Sequence, residues 1–176
     1  NHALAHYYRG SIYTTQGRLD DAVVSLEKAR ELMPDSVNVY ASLGYVYLEL
    51  QDYPKGKEIY LRYTELAPED EAAWIGLAKC YENYEETEEA IEAYTQALEI
   101  NDSLLIAHKK LSDIYYDLEE YEEAIPHLEL ITEAVPEDNE AASRLAKAYK
   151  RTGNYDQAIQ RNLELLEKNP EKISLW

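Results

Sequence analysis

Small and apolar residues return along this chain at a fixed interval of 34, and each return falls in the same local pattern. Counting from Ala3, position 8 of every interval is small (Gly10, Gly44, Ala78, Ser112, Ala146), and so is position 20 (Ala22, Gly56, Ala90, Ala124, Ala158). Position 11 is always tyrosine (Tyr13, Tyr47, Tyr81, Tyr115, Tyr149), and position 7 is leucine in four intervals (Leu43, Leu77, Leu111, Leu145). At about 100° per residue, positions 4, 7, 8 and 11 share one stripe of a helix, and positions 17, 20, 24 and 27 share a stripe of a second. Leu19, Ala22, Leu26 and Ala29 show that second stripe in the first interval. Small residues at such places let two helix backbones approach closely. Proline at position 32 in four intervals (Pro34, Pro68, Pro136, Pro170) ends one helix and opens the next pair. The pattern predicts an all-α chain of five helix–turn–helix units, at 3–36, 37–70, 71–104, 105–138 and 139–172, with 173–176 opening a sixth unit or a capping helix. Each pair needs its neighbours to bury its remaining apolar surface, so the units form one solenoid domain without a central core.

The interval resembles the tetratricopeptide repeat, whose pattern runs W-x2-L-G-x2-Y…A-x3-F…P. The third unit shows it most fully, as Trp74-Ile75-Gly76-Leu77-Ala78-Lys79-Cys80-Tyr81 followed by Ala90, Tyr94 and Ala97. The resemblance spans essentially the whole chain. It implies a right-handed superhelix of antiparallel helix hairpins whose first helices line a concave face. Departures from the pattern are few. Arg9 replaces the leucine of position 7, so the first unit packs less well or meets something before it, and Asn162 replaces the large residue of position 24. Gly56 at position 20 with Tyr63 at position 27 reads as a small-for-large exchange that conserves volume. Asp102 stands where four units have proline, and Pro126 falls in the first turns of a helix, where its missing amide costs little.

Composition narrows the classes of function. The chain has 35 acids against 17 bases, a net charge of −18, which argues against a generic nucleic-acid binder and against docking on anionic lipid. No apolar run is long enough to span a membrane, so the expectation is a soluble, cytoplasmic setting. A single cysteine, Cys80, excludes an internal disulfide and reads as a packed thiol. Because it starts at Asn1 without methionine and stops at Trp176, the chain reads as a piece of a longer protein.

Charge distribution says more than net charge. The resemblance implies that positions 2, 5, 9 and 12 of the first helices point into the concave face, with 6 and 13 at its flanks. In the first three units these are largely aromatic or apolar: Leu4, Tyr7, Tyr8, Tyr45, Leu48 and Ile75. In the last three they are basic: Lys79, Lys109, Lys110, Arg144, Lys147, Lys150 and Arg151, seven of the 17 bases on one line. Tyr7, Tyr8, Tyr45 and Tyr116 have no packing role inside the repeat, whereas Tyr53, Tyr121 and Tyr155 at position 17 do. These residues form a candidate groove for an extended or helical peptide, apolar at one end and acidic at the other. The competing reading is that the bases only balance neighbouring acids such as Glu82, Asp113, Asp117 and Glu140 through weak exposed pairs. The carboxylate clamp of tetratricopeptide co-chaperones is not reproduced, because Lys109 stands with Asp113 and Ser143 with Lys147.

No phosphate loop, nucleophile elbow or paired-cysteine metal motif occurs. His6 and His108 take the packing slot of position 4; His2 with His6, and Glu123 with His127, have metal-pair spacing, but two ligands make no site. The expectation is therefore a scaffold without catalysis, cofactor or metal, binding a protein or an acidic peptide. Two alternatives stay open: self-association through the end units, and service as the substrate-recruiting arm of a larger enzyme.

Overall fold

The computed structural model describes residues 2–168. The expected sixth unit at 173–176, with Trp176, and Pro170 lie outside these residues. The described residues form ten helices and no strand: α1 (His2–Thr15), α2 (Leu19–Leu32), α3 (Val37–Glu49), α4 (Tyr53–Leu66), α5 (Glu71–Glu82), α6 (Thr87–Ile100), α7 (Leu105–Asp117), α8 (Tyr121–Ala134), α9 (Asn139–Arg151) and α10 (Tyr155–Lys168). The second helix of each pair opens 34 residues after the last, at Leu19, Tyr53, Thr87, Tyr121 and Tyr155. Two compact units result, Asn1–Asp102 with α1 to α6 and Ser103–Trp176 with α7 to α10. In the first, the hairpins α1/α2, α3/α4 and α5/α6 are joined by α2 on α3 and α4 on α5. In the second, α7/α8 and α9/α10 are joined by α8 on α9.

The turn within each hairpin depends on one left-handed residue at position 15. Its φ is 71° at Gly17, 57° at Gln51, 56° at Glu85, 59° at Glu119 and 82° at Gly153. Glycine adopts this conformation freely, whereas glutamine and glutamate hold it against the clash of Cβ with the carbonyl. The turn between hairpins is fixed by side chains. Asp70 and Asp138 cap α5 and α9 by accepting from the amides of Ala72 and Ala141, both at 3.0 Å. The Tyr40 hydroxyl donates to the Pro34 carbonyl at 3.0 Å, and the Trp74 indole donates to the Pro68 carbonyl at 2.9 Å. An aromatic donor at position 4 thus ties each of these first helices to the proline turn before it.

Packing in the first unit explains its glycines. A Cβ on Gly44 would stand 2.8 Å from the Tyr60 ring, and one on Gly76 only 2.0 Å, so both glycines make room for a buried ring. The Gly56 and Tyr63 pair does not trade volume directly. A Cβ on Gly56 would meet the Cys80 sulfur at 3.1 Å, while Tyr63 lies stacked on Tyr60 at 6.2 Å and donates its hydroxyl to Asp70 at 2.6 Å. Arg9 is turned to use within its own hairpin, donating to the buried Ser25 hydroxyl at 3.0 Å. In the second unit the core joins Tyr121, Leu128 and Ile131 of α8 to Leu145 and Tyr149 of α9. Pro126 lies inside α8, at its sixth residue, past the turn whose amides are free. It therefore removes one helical bond, and α8 continues through it to Ala134.

Candidate functional site

In the unit Asn1–Asp102, the predicted aromatic face divides by exposure. Tyr8 and Tyr45 are 61% and 50% exposed, while Tyr7, Leu48, Ile75 and Lys79 are half-buried. Tyr7 and Tyr8 sit beside each other on α1 with ring centroids 5.4 Å apart. Lys79 makes no ion pair with a described residue. Two large rings and a free ammonium are thereby open to a ligand on the first helices of this unit, each an apolar body with a polar tip.

In the unit Ser103–Trp176, the basic line separates into a neutralised part and an open part. Arg144 pairs with Asp113 and, at 2.8 Å, with Glu140. Lys109 reaches Asp138 at 3.3 Å, the carboxylate that caps α9. Asp138 is held below the usual carboxylate range first by the Ala141 amide and then by Lys109. These two bases consequently tie α7 to α9 and line a cavity of about 200 Å³ with Asp113, Asp138 and Glu140. Lys110 is half-buried on α7. Beyond them, Lys147, Lys150 and Arg151 are exposed and make no ion pair with a described residue. They edge an open cleft of about 470 Å³ between α9 and α10, with Ser143, Ala146, Tyr155 and Asn162. Hydrogen bonding to the Tyr116 side chain raises the Lys147 pKa above the ordinary lysine value.

Tyr116 is more than a free ligand anchor. It lies edge-on to Tyr121 at 5.4 Å, with Arg144 and Lys147 above its face at 5.4 and 5.1 Å. Tyr155 departs from its expected packing role and stands 63% exposed, because no described residue covers that side of α10. Asn162 donates to the Ala158 carbonyl at 2.8 Å and leaves unfilled the space that Leu128 fills in the preceding hairpin.

Several polar contacts were beyond a reading of spacing. His127 does not join Glu123; its Nδ1 lies 2.8 Å from Nδ1 of His108, with its ring stacked on Tyr115. Burial first, and then His108, pushes His127 down to about 4. Tyrosines at position 11 donate across hairpins to a glutamate at position 25, Tyr47 to Glu27 at 2.8 Å and Tyr149 to Glu129. A 34-residue register would have placed that pairing, since both tyrosines stand 20 residues after their acceptors. Among the described residues, no group of three or more histidine, cysteine, aspartate or glutamate side chains could hold a metal ion, and no helix is long and apolar enough to cross a membrane.

Comparison with known proteins accords with this geometry. Two family models described as Tetratricopeptide repeat match the chain, one over residues 13–80 and 115–176, the other over 71–104. The Protein CTR9 homolog of Arabidopsis thaliana is 31% identical over 70 residues, which is 40% of this chain and only 6% of that protein's length. A crystal structure of MamA superposes with a TM-score of 0.83 at 23% identity, covering 98% of this chain and 94% of that one. A structure of YrrB, described as a TPR protein with an unusual peptide-binding site, gives 0.80 at 18% identity, covering 97% and 88%. At these identities the two structures show a common fold, an α-solenoid built of helix hairpins.

Proposed function

The chain belongs to the tetratricopeptide repeat family, and from that premise we propose that it is a non-catalytic scaffold whose five 34-residue repeats bind a partner peptide on their first helices. Each compact unit contributes a surface of its own. In Asn1–Asp102 the surface is aromatic, with exposed Tyr8 and Tyr45 as anchors and half-buried Tyr7, Leu48 and Ile75 on the same first helices. In Ser103–Trp176 it is basic and meets acidic groups. The observation that carries the reading is the exposed trio Lys147, Lys150 and Arg151, none of which makes an ion pair with a described residue, in a chain of net charge −18. A protein so acidic has carboxylates to spare for neutralising bases, as Asp113, Glu140 and Asp138 do for Arg144 and Lys109. Three neighbouring cations without a carboxylate partner among the described residues provide complementarity toward an acidic ligand. The peptide-binding site named for YrrB gives a precedent for ligand capture on a similar fold.

Selection of displayed peptides on the immobilised chain tests this. An acidic consensus is expected, bound more weakly as salt rises and weakened by the variant Lys150→Glu, which leaves the contacts of Lys147 with Tyr116 and of Arg151 with Tyr121 in place. Retention of the same peptides by that variant would remove the basic surface from the reading. Arg144→Glu is a poor probe, since it would also break the links to Asp113 and Glu140.

A further inference from the structure

Within the unit Asn1–Asp102, two joints between hairpins repeat 34 residues apart, and a lysine fills only the second. Where α4 meets α5 and α6, Lys57 at position 21 reaches into the next hairpin. Its ammonium lies 4.9 Å over the Tyr81 ring and 5.8 Å over the Tyr84 ring, and it pairs with Glu86, the residue before α6. One interval earlier the receiving residues keep their character: Tyr81 answers to Tyr47, Tyr84 to Leu50 and Glu86 to Asp52. Position 21 there is Val23, whose side chain ends at its γ-carbons. An open cleft of about 400 Å³ stands in its place, between Val23 and Val24 of α2, Tyr47 and Leu50 at the end of α3, and Asp52, which caps α4. Asp20 also lines the cleft and makes no ion pair with a described residue. Val24 is 69% exposed, and its position 22 is exposed on all five hairpins, inner and outer alike (Glu58, Glu92, Pro126, Gln160), so this exposure belongs to the repeat.

We propose that this first joint binds a lysine side chain of a partner protein, with an apolar residue beside it in that partner. Lys57 in the second joint shows, within the same unit, what such a pocket accepts: an ammonium over the ring of position 11, with a carboxylate at position 16. Asp52 and Asp20 supply the opposite charge, and Val24 and Leu50 the apolar rest for the neighbouring side chain. Lys55 is the group the ligand displaces. It lies 5.4 Å over Tyr47 and donates to Asp52 at 2.7 Å, yet its side chain is 60% exposed where that of Lys57 is 30%. An exposed pair within one turn of helix holds its partners weakly. The second joint has Glu89 at the corresponding position and no such competitor. This site is independent of the basic surface in Ser103–Trp176, differing from it in unit and in the sign of the charge it takes.

The probe is a fluorescent peptide with Leu-Lys-Leu at its centre and Gly-Ser on either side, titrated against the full chain by anisotropy beside the same peptide bearing acetyl-lysine. The lysine form should bind about tenfold or more tightly. Val23→Lys, which sets in the first joint the residue that fills the second, should weaken binding by about tenfold or more and raise the thermal midpoint. Asp52→Asn keeps a good helix cap while removing the charge, and should weaken binding as well. Lys55→Ala should tighten it by about threefold or more, because the competitor is gone. Equal affinity of the two peptides for the unaltered chain, or no binding of either, overturns the proposal even if a variant fails to fold. Lysine-dependent binding that Val23→Lys leaves unchanged places the ligand elsewhere and equally overturns it. Weaker binding to Lys55→Ala makes Lys55 a contact rather than a competitor, and overturns it too.

Discussion

Three of the five hairpin turns place a side chain where glycine belongs. Gln51, Glu85 and Glu119 adopt the φ near 57° that Gly17 and Gly153 adopt without strain. A left-handed residue with a Cβ carries about 1–2 kcal/mol of strain, part of which glycine returns as extra freedom in the unfolded chain. Glu119→Gly should therefore stabilise the fold by roughly 0.5–1 kcal/mol, read as a higher thermal midpoint. The same exchange at an exposed helical residue should lower it. Histidine gives a second outcome at this scale. The folded His127 holds its pKa near 4, below the unfolded value of 6.5, so the unfolded chain takes up the proton first as pH falls. Stability linked to neutral His127 is complete above pH 6.5 and is lost progressively toward pH 4. His127→Gln should flatten the fall of the thermal midpoint between about pH 7 and about pH 5 relative to the unaltered chain. Neither feature was legible in the sequence. Glutamate at position 15 carries no turn signal, and His108 with His127 meet across a hairpin rather than along one helix.

Helices, by contrast, were written plainly in the period. Small residues at positions 8 and 20 and tyrosine at position 11 placed ten helices, because each stripe has only one way to be buried. What the period could not express is the shape of individual contacts. Gly76, outside the small positions, is required by the Tyr60 ring, 2.0 Å from where its Cβ would stand. Gly76→Ala should accordingly destabilise by about 1–3 kcal/mol, despite the better helix propensity of alanine. In the Tyr60→Leu background the sign should reverse, since the clash is gone and the propensity gain remains. A double-mutant cycle in urea measures this directly, and an unchanged cost in both backgrounds would mean that Tyr60 is not the cause.

At the scale of the molecule, charge governs two opposed responses. A net charge of −18 sets like charges against one another in the compact state, so screening should raise the thermal midpoint between roughly 50 mM and roughly 300 mM salt. Binding of an acidic peptide to the basic surface that includes Lys150 should weaken over the same range, and a common direction for both would separate the ligand from the basic face. The basic residues themselves could be read from the sequence; which of them remain open could not. Arg144 and Lys109 are taken by Asp113, Glu140 and Asp138, contacts that depend on how α9 seats on its neighbours.

The only sulfhydryl of the chain also serves as a clock. Cys80 is fully buried, with a Cβ-free surface of Gly56 against its sulfur, and burial pushes the thiol up to about 12. A thiolate-seeking reagent can act only after α4 and α5 part, so its uptake counts openings of that junction one by one. At high reagent concentration the labelling rate should become independent of reagent and equal the opening rate. Gly76→Ala, which strains the same junction, should accelerate it. An array without a central core thus carries, at one of its inner joints, a single-site record of how often that joint breathes.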